Sequence, residues 1–316
     1  MAGPFDLGPD SGDDSKSSGQ DGVSVSEQQP PGWPDGPLLS VEALAELLQA
    51  GDVLVFDCRF DLAHPRQGYQ SFLSAHIPSA RYADLDRDLS GRITRHAGRH
   101  PLPTARAFAA FLARSGYEHG GKVVAYDAHG GAFAARLWWL MQYFGLGGTA
   151  VLDGGIGAWM AAGSTLEAGE QAIPKTPSPR LQARPELTLG SADVADAIAG
   201  DDILLLDARA ANRFQGEDET IDPVAGHVPG ARNRPFVSNL GDGGRFRSPE
   251  ALRSEFRRIL GEHSPGEVVH MCGSGVTACQ NLLAMESAGL HGSKLYAPSW
   301  SGWISDPGRP VAIGTT

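Results

Sequence analysis

Apolar and polar positions along this chain switch repeatedly between helical and strand-like periods. Residues 41–49 form an amphipathic stretch behind Ser40, which is suited to cap a helix, and the short apolar run Val53-Leu-Val-Phe-Asp-Cys-Arg59 follows. A second amphipathic stretch over 104–114 leads to Lys122-Val-Val-Ala-Tyr-Asp127, and the loop after it opens a helical pattern over 133–144. The same order returns further on: 192–199, then Ile203-Leu-Leu-Leu-Asp-Ala-Arg209, then 249–260, Glu267-Val-Val-His-Met-Cys272 and 277–288. Short apolar strands alternating with helices predict an α/β fold with parallel sheets covered on both faces.

The recurrence is a duplication. Asp57 maps to Asp207 at an offset of 150 residues, and His76 in Ala75-His-Ile-Pro-Ser-Ala-Arg81 maps to His227 in Gly226-His-Val-Pro-Gly-Ala-Arg232 at 151. Asp127 maps to Cys272 at 145, and each copy ends in a short strand and a Trp-bearing turn, 151–159 and 295–303. An offset held over nearly the whole length means two copies of one domain and not a short-period solenoid. The expected organisation is an acidic tail over 1–37, a first domain over 38–166, a linker over 167–187 rich in Pro, Ala and polar residues, and a second domain over 188–316.

Composition changes this picture at the N-terminus and in the range of partners. Residues 1–37 hold seven acids against Lys16 alone, with Gly, Ser, Pro and Gln between them, too little apolar surface to offset the entropy of ordering; they read as disordered. That segment carries −6 of the formal charge of −11, so the rest has an ordinary soluble surface. No basic run interleaved with aromatics indicates nucleic acid, no apolar run is long enough to span a bilayer, and the N-terminus lacks a signal-peptide pattern. The expected location is the cytoplasm, with neither nucleic acid nor membrane as partner. Three cysteines, Cys58, Cys272 and Cys279, suit a reducing compartment and leave room for a reactive thiol.

The loop Cys272-Gly273-Ser274-Gly275-Val276-Thr277 lies at the end of a predicted parallel strand, where α/β folds place their ligand sites. Gly273 and Gly275 allow successive backbone N–H groups to turn toward one point. The helix that follows adds its unsatisfied N–H groups and dipole, which favour an anion there and the thiolate form of a cysteine. The plainer reading is a small hydrophobe before a glycine turn. The first copy is an internal control: its equivalent loop carries Asp127 in place of a nucleophile, as expected for one catalytic and one supporting domain.

Together the duplicated Asp-X-Arg and His-X-Pro elements and the six-residue loop found only in the second copy resemble the tandem-domain rhodanese family, and within it the 3-mercaptopyruvate sulfurtransferases, over roughly residues 38–310. The resemblance implies two rhodanese-like domains, each a five-stranded parallel sheet flanked by helices, with the site at their interface. It further implies that the Cys272 thiolate attacks the sulfur of 3-mercaptopyruvate, releases pyruvate and passes the persulfide sulfur to cyanide or a thiol acceptor such as thioredoxin. No metal or organic cofactor is required, because the sulfur rides on the enzyme. By motif, Ser274, His100 and Asp86 match a serine, histidine and aspartate that assist the proton transfer, and Arg213 matches a carboxylate-binding arginine. Gly273, Gly275, Val276 and Thr277 would line the donor site through their backbone.

Each of these has a plainer reading: Ser274 as a turn residue, His100 as a solvated loop residue, Asp86 as part of an acidic surface. His76, His227, Cys58, Cys279 and the Trp138-Trp139 pair read as structural. The family's second substrate arginine has no counterpart in 216–225, where Arg234 or Arg95 could compensate. Thiosulfate transfer is the nearest alternative, although loops that take this dianion place cationic side chains beside the nucleophile. A phosphatase needs an arginine six residues after the cysteine, and that position is Ala278. A non-catalytic interaction module fits the first copy, which lacks the thiol, and not the second.

Overall fold

The computed structural model describes Met1 and residues 33–315, so most of the acidic segment lies outside the described residues. Of that segment's last residues, Trp33 is buried and packs in the core around Leu39, Val41 and Leu44. The first copy runs β1 (Leu38–Leu39), α1 (Val41–Ala50), β2 (Leu54–Asp57), α2 (Gln67–Ser74), β3 (Arg81–Tyr82), α3 (Ala105–Arg114), β4 (Val123–Tyr126), α4 (Ala134–Tyr143), β5 (Thr149–Leu152) and α5 (Gly155–Ala161). The second runs α6 (Ser191–Ala199), β6 (Leu204–Asp207), α7 (Ala211–Gln215), β7 (Arg232–Asn233), α8 (Pro249–Leu260), β8 (Val268–Met271), α9 (Ala278–Ser287), β9 (Lys294–Leu295) and α10 (Ser299–Trp303).

Every strand pair is parallel, in the order β1-β5-β4-β2-β3 and β7-β6-β8-β9. Among the described residues the second sheet therefore has four strands and not the five expected. Where β1 lies beside β5 in the first copy, the second keeps only a single parallel bridge from Thr188 to Leu295. Helix starts follow local chemistry, since the hydroxyls of Ser40, Thr104 and Ser248 accept from the backbone N–H groups of Ala43, Ala107 and Ala251. The Trp-bearing turns expected at 151–159 and 295–303 close into the short helices α5 and α10.

Asp57 and Asp207 explain the repeated Asp-X-Arg. Asp207 is buried and accepts from the Arg209 side chain at 2.7 Å and from its backbone N–H at 3.0 Å, while Arg209 also reaches Gly226 O at 2.8 Å. In the first copy Asp57 pairs with Arg59 in the same way, accepts from the Tyr126 hydroxyl at 2.7 Å, and Arg59 reaches Ala75 O at 2.6 Å. Each arginine thus ties a strand end to the segment entering the His-X-Pro turn. The histidines hold the same corner: Nδ1 of His76 and of His227 each lie 2.8 Å from a carbonyl, Phe72 O and Phe214 O, and each ring stacks on that phenylalanine.

The two copies share one core. Helices α4 and α9, which open after the two equivalent loops, are buried almost throughout and pack on each other, with Trp138 and Trp139 in the same cluster as Val276, Cys279 and Leu283. An apolar all-round helix needs such cover on every face. Arg136, fully buried in this interface, donates to Leu89 O, His100 O, Pro101 O and Gly275 O at 3.0–3.4 Å. It clamps the first copy's 89–101 segment to the second copy's loop.

If the Asp-X-Arg pair is a structural hub, Asp57→Ala strands the Arg59 guanidinium and the Tyr126 hydroxyl, and should cost on the order of 3 kcal/mol in urea unfolding. An unchanged unfolding midpoint would show that the pair contributes nothing to stability.

Candidate active site

The loop after β8 is shaped by where its carbonyls go. Cys272 O and Gly273 O accept from the N–H groups of Trp300 and Ser301 at 3.0 and 2.9 Å, and Gly275 O accepts from Arg136 at 3.0 Å. In a planar trans peptide the N–H of the next residue points opposite to the carbonyl, so the amides of Gly273, Ser274 and Val276 turn away from these partners. Gly275 has φ +76°, and a methyl there would sit 2.4 Å from Ala297 O; only glycine fits. Its own N–H lies 3.1 Å from Cys272 Sγ. Cys272 is 2 % exposed, and its N–H donates to Ser299 Oγ at 3.1 Å. Val276 is buried at the start of the turn, and Thr277 is the N-terminal boundary of α9.

The first copy shows what such a loop binds. Asp127 stands at the matching strand end, and its two carboxylate oxygens accept from the backbone N–H groups of His129, Gly131, Phe133 and Ala134 at 2.7–3.0 Å. The strand-end loop of this fold is therefore an anion-binding ring of amides, filled in the first copy by its own carboxylate. In the second copy a shorter thiol stands at the root of the ring.

Ser274, His100 and Asp86 come together although they are far apart in sequence. His100 Nδ1 lies 2.7 Å from Ser274 Oγ, and its Nε2 lies 3.2 Å from Asp86 Oδ1. A carboxylate only accepts, so the neutral ring carries its proton on Nε2 and Nδ1 accepts from the serine hydroxyl. His100 is buried while the Asp86 side chain is about half exposed. Burial lowers the His100 pKa below the ordinary histidine value, and the hydrogen bond that His100 donates to Asp86 opposes that shift.

Arg213 also reaches the loop, but not alone. A methyl on Gly273 would lie 3.1 Å from an Arg99 nitrogen, 3.6 Å from an Arg213 nitrogen and 3.7 Å from Asp222 Oδ2. Arg213 forks onto Glu219 at 2.9–3.2 Å and touches Asp222 at 3.2 Å, while Asp222's other oxygen pairs with Arg99. Burial opposes the charge on Glu219, yet the Arg213 fork and the N–H groups of Asp222 and Ile221 hold its pKa below the usual carboxylate value. Neither suggested replacement for the second arginine stands here: Arg234 is engaged with Asn239 and Glu255 over the Phe256 ring, and Arg95 is exposed. Arg99, adjacent to His100 in sequence, was not singled out by any motif.

The remaining thiols are poor nucleophiles. Cys279 is buried 3.5 Å from Gly275 O, and burial pushes its pKa up to about 12; Cys58 is buried and shifted the same way.

Comparison with known proteins agrees with the fold and the duplication. The rhodanese-like domain model matches residues 40–162 and again 191–306. The chain is 46% identical over 281 residues, 88% of this chain and 98% of the relative, to a protein of Pseudomonas aeruginosa named as a probable 3-mercaptopyruvate sulfurtransferase. It is 38% identical over 287 residues, 88% of this chain and 97% of the relative, to a putative thiosulfate sulfurtransferase of Mycobacterium tuberculosis. The solved 3-mercaptopyruvate sulfurtransferase of Leishmania major superposes with a TM-score of 0.74 at 32% identity, covering 86% of this chain and 74% of that one. With two matched domains, two parallel sheets and a strand-end cysteine loop in only one of them, the chain belongs to the rhodanese-like domain family in its tandem form.

Proposed function

We propose that this protein is a sulfurtransferase that takes sulfur from 3-mercaptopyruvate, and the observation that supports the donor best is the Ser274–His100–Asp86 relay beside Cys272. In the first half-reaction the Cys272 thiolate attacks the donor's sulfur and the carbon–sulfur bond breaks, its electron pair forming the enolate of pyruvate. The proton of the donor's thiol passes to Ser274 Oγ as the serine's own proton moves to the neutral His100 Nδ1, and the imidazolium, held by Asp86, returns it through Ser274 to the enolate carbon, so the persulfide remains as an anion in the ring of loop amides. The chemistry balances: thiolate and mercaptopyruvate become persulfide anion and pyruvate. In the second half-reaction cyanide or a thiolate attacks the outer sulfur and Cys272 returns as thiolate. A protein thiol such as that of thioredoxin is the expected physiological acceptor.

Thiosulfate transfer is the second reading, favoured by the name of the 38% identical relative. Thiosulfate releases sulfite, which needs no proton on carbon, so a proton relay at the loop has no task in that reaction. Among the described residues no helix is long and apolar enough to cross a membrane, and the cytoplasm is the proposed location.

Turnover of 3-mercaptopyruvate and of thiosulfate, each with cyanide, should show a clear preference for mercaptopyruvate, and Cys272→Ser should abolish thiocyanate formation. A preference for thiosulfate would remove the donor assignment, and an active serine variant would remove the mechanism. Ser274→Ala should lower kcat with mercaptopyruvate by about 100-fold, the scale of a positioned proton donor, while affecting thiosulfate turnover far less; equal losses would argue against the relay. Gly275→Ala forces its methyl into Ala297 O, so donor turnover should collapse in a protein with native circular dichroism; full activity would show that the loop tolerates another shape.

The relay also sets a pH dependence. It needs neutral His100, so activity should persist as pH falls to the ordinary histidine pKa and be lost only on passing the lowered one. Asp86→Asn removes the upward pull on that pKa and should move the acid limb of kcat/KM to still lower pH, with a reduced plateau. A limb that moves to higher pH in the variant would contradict the assignment.

A further inference from the structure

The donor proposed above is a carboxylate, and the segment 216–225 supplies no second arginine to hold it. We infer that Arg99, from the first domain, is that second guanidinium, and that Asp222 occupies the donor carboxylate's place between Arg99 and Arg213 until the donor arrives. The inference rests on the reading of the donor as an α-keto acid.

Asp222 is the reason. Its side chain is 2 % exposed, and its two oxygens are divided between the two arginines: Oδ1 on Arg99, Oδ2 on Arg213 at 3.2 Å. Oδ2 also stands 3.7 Å from where a methyl on Gly273 would be, beside the nearer nitrogens of Arg99 and Arg213. A carboxylate is thus already bound by a pair of guanidiniums directly over the nucleophile loop, with one arginine from each domain. The planar forks match the two oxygens of such a group, which a single ammonium would not.

Two further observations show that Arg99 is placed for this. Its backbone N–H donates to Ser301 Oγ at 3.0 Å, so the residue is pinned to the turn whose N–H groups hold the loop, and Gly98 before it has φ +79° with Pro298 O where a side chain would go. Its buried Nε–H meets no acceptor among the described residues, a donor whose solvation has been lost without a partner in return. A bidentate carboxylate taking Nε and a terminal nitrogen of Arg99 would satisfy it. The charges are also balanced: Arg99 and Arg213 face Asp222 and Glu219, so a donor carboxylate binds by displacing Asp222 rather than by filling an uncompensated positive site. Glu219, which forks onto Nε and a terminal nitrogen of Arg213 and also meets Arg209, keeps Arg213 in place as Asp222 leaves.

Displacement gives opposite signs for two variants. Arg99→Gln should raise KM for 3-mercaptopyruvate about tenfold or more, the scale of one lost charged hydrogen-bonding pair, with a much smaller change in kcat, and Arg99→Lys should fall between it and the unaltered protein. Asp222→Asn should lower KM, and that gain should disappear when Arg99→Gln is also present. Unchanged KM in Arg99→Gln, equal losses in kcat and kcat/KM, or a rise in KM in Asp222→Asn with native unfolding midpoints would each overturn the inference. Pyruvate as a competitive inhibitor of thiosulfate turnover separates this from the donor assignment. If mercaptopyruvate is not a donor at all, pyruvate should still compete in the unaltered protein and compete about tenfold less well in Arg99→Gln; equal inhibition of both would sink the clamp alone.

Discussion

Everything at this site depends on one constraint: a ring of backbone amides at the end of the central strand must have an anion. Four N–H groups turned toward a point are costly to leave unsatisfied in a buried place. The first domain meets the demand internally, with Asp127 filling the ring permanently. In the second domain the side chain at the strand end is a thiol, too short to fill the ring. In the proposed mechanism a thiolate, and then a persulfide one sulfur longer, is the occupant, while the first domain's ring stays filled by its own carboxylate.

The supporting domain does more than cover a face. Asp86, His100 and Arg99 all come from its segment between β3 and α3, and Arg136 from its α4 ties that segment to the nucleophile loop. Arg136 carries no carboxylate partner in these contacts, and its burial lowers its pKa. Three carbonyls of its own domain orient the guanidinium and a fourth, Gly275 O, crosses to the second domain, a directional tie that a purely apolar interface lacks. The proposed chemistry therefore needs both copies, although only one has the thiol.

The parts of this arrangement differ in how far sequence discloses them. The duplication, the helices with their Ser and Thr caps, and the Cys272 loop are local patterns, readable from spacing and from glycines at a strand end. Asp86 and His100 sit in a stretch without strand or helix, from β3 to α3, where no period constrains the reading; motif likeness pointed to them, and only the fold brings Ser274 within 2.7 Å of His100. The loss of the fifth strand in the second sheet could not be read, because Thr188 pairs through one bridge and leaves no apolar run to mark it. Arg99 looked like one more basic residue beside a histidine. Glu219 and Asp222 carry no local signal, because their partners Arg99, Arg209 and Arg213 lie on two other segments.

The most direct measurement of the central claim is mass spectrometry of the protein after one addition of 3-mercaptopyruvate without acceptor, with pyruvate counted in parallel. The account predicts that the peptide bearing Cys272 becomes one sulfur atom heavier, that Cys58 and Cys279 stay unmodified, and that pyruvate appears in step with the persulfide. Pyruvate released with Cys272 unmodified, or sulfur carried on Cys279 instead, would contradict it.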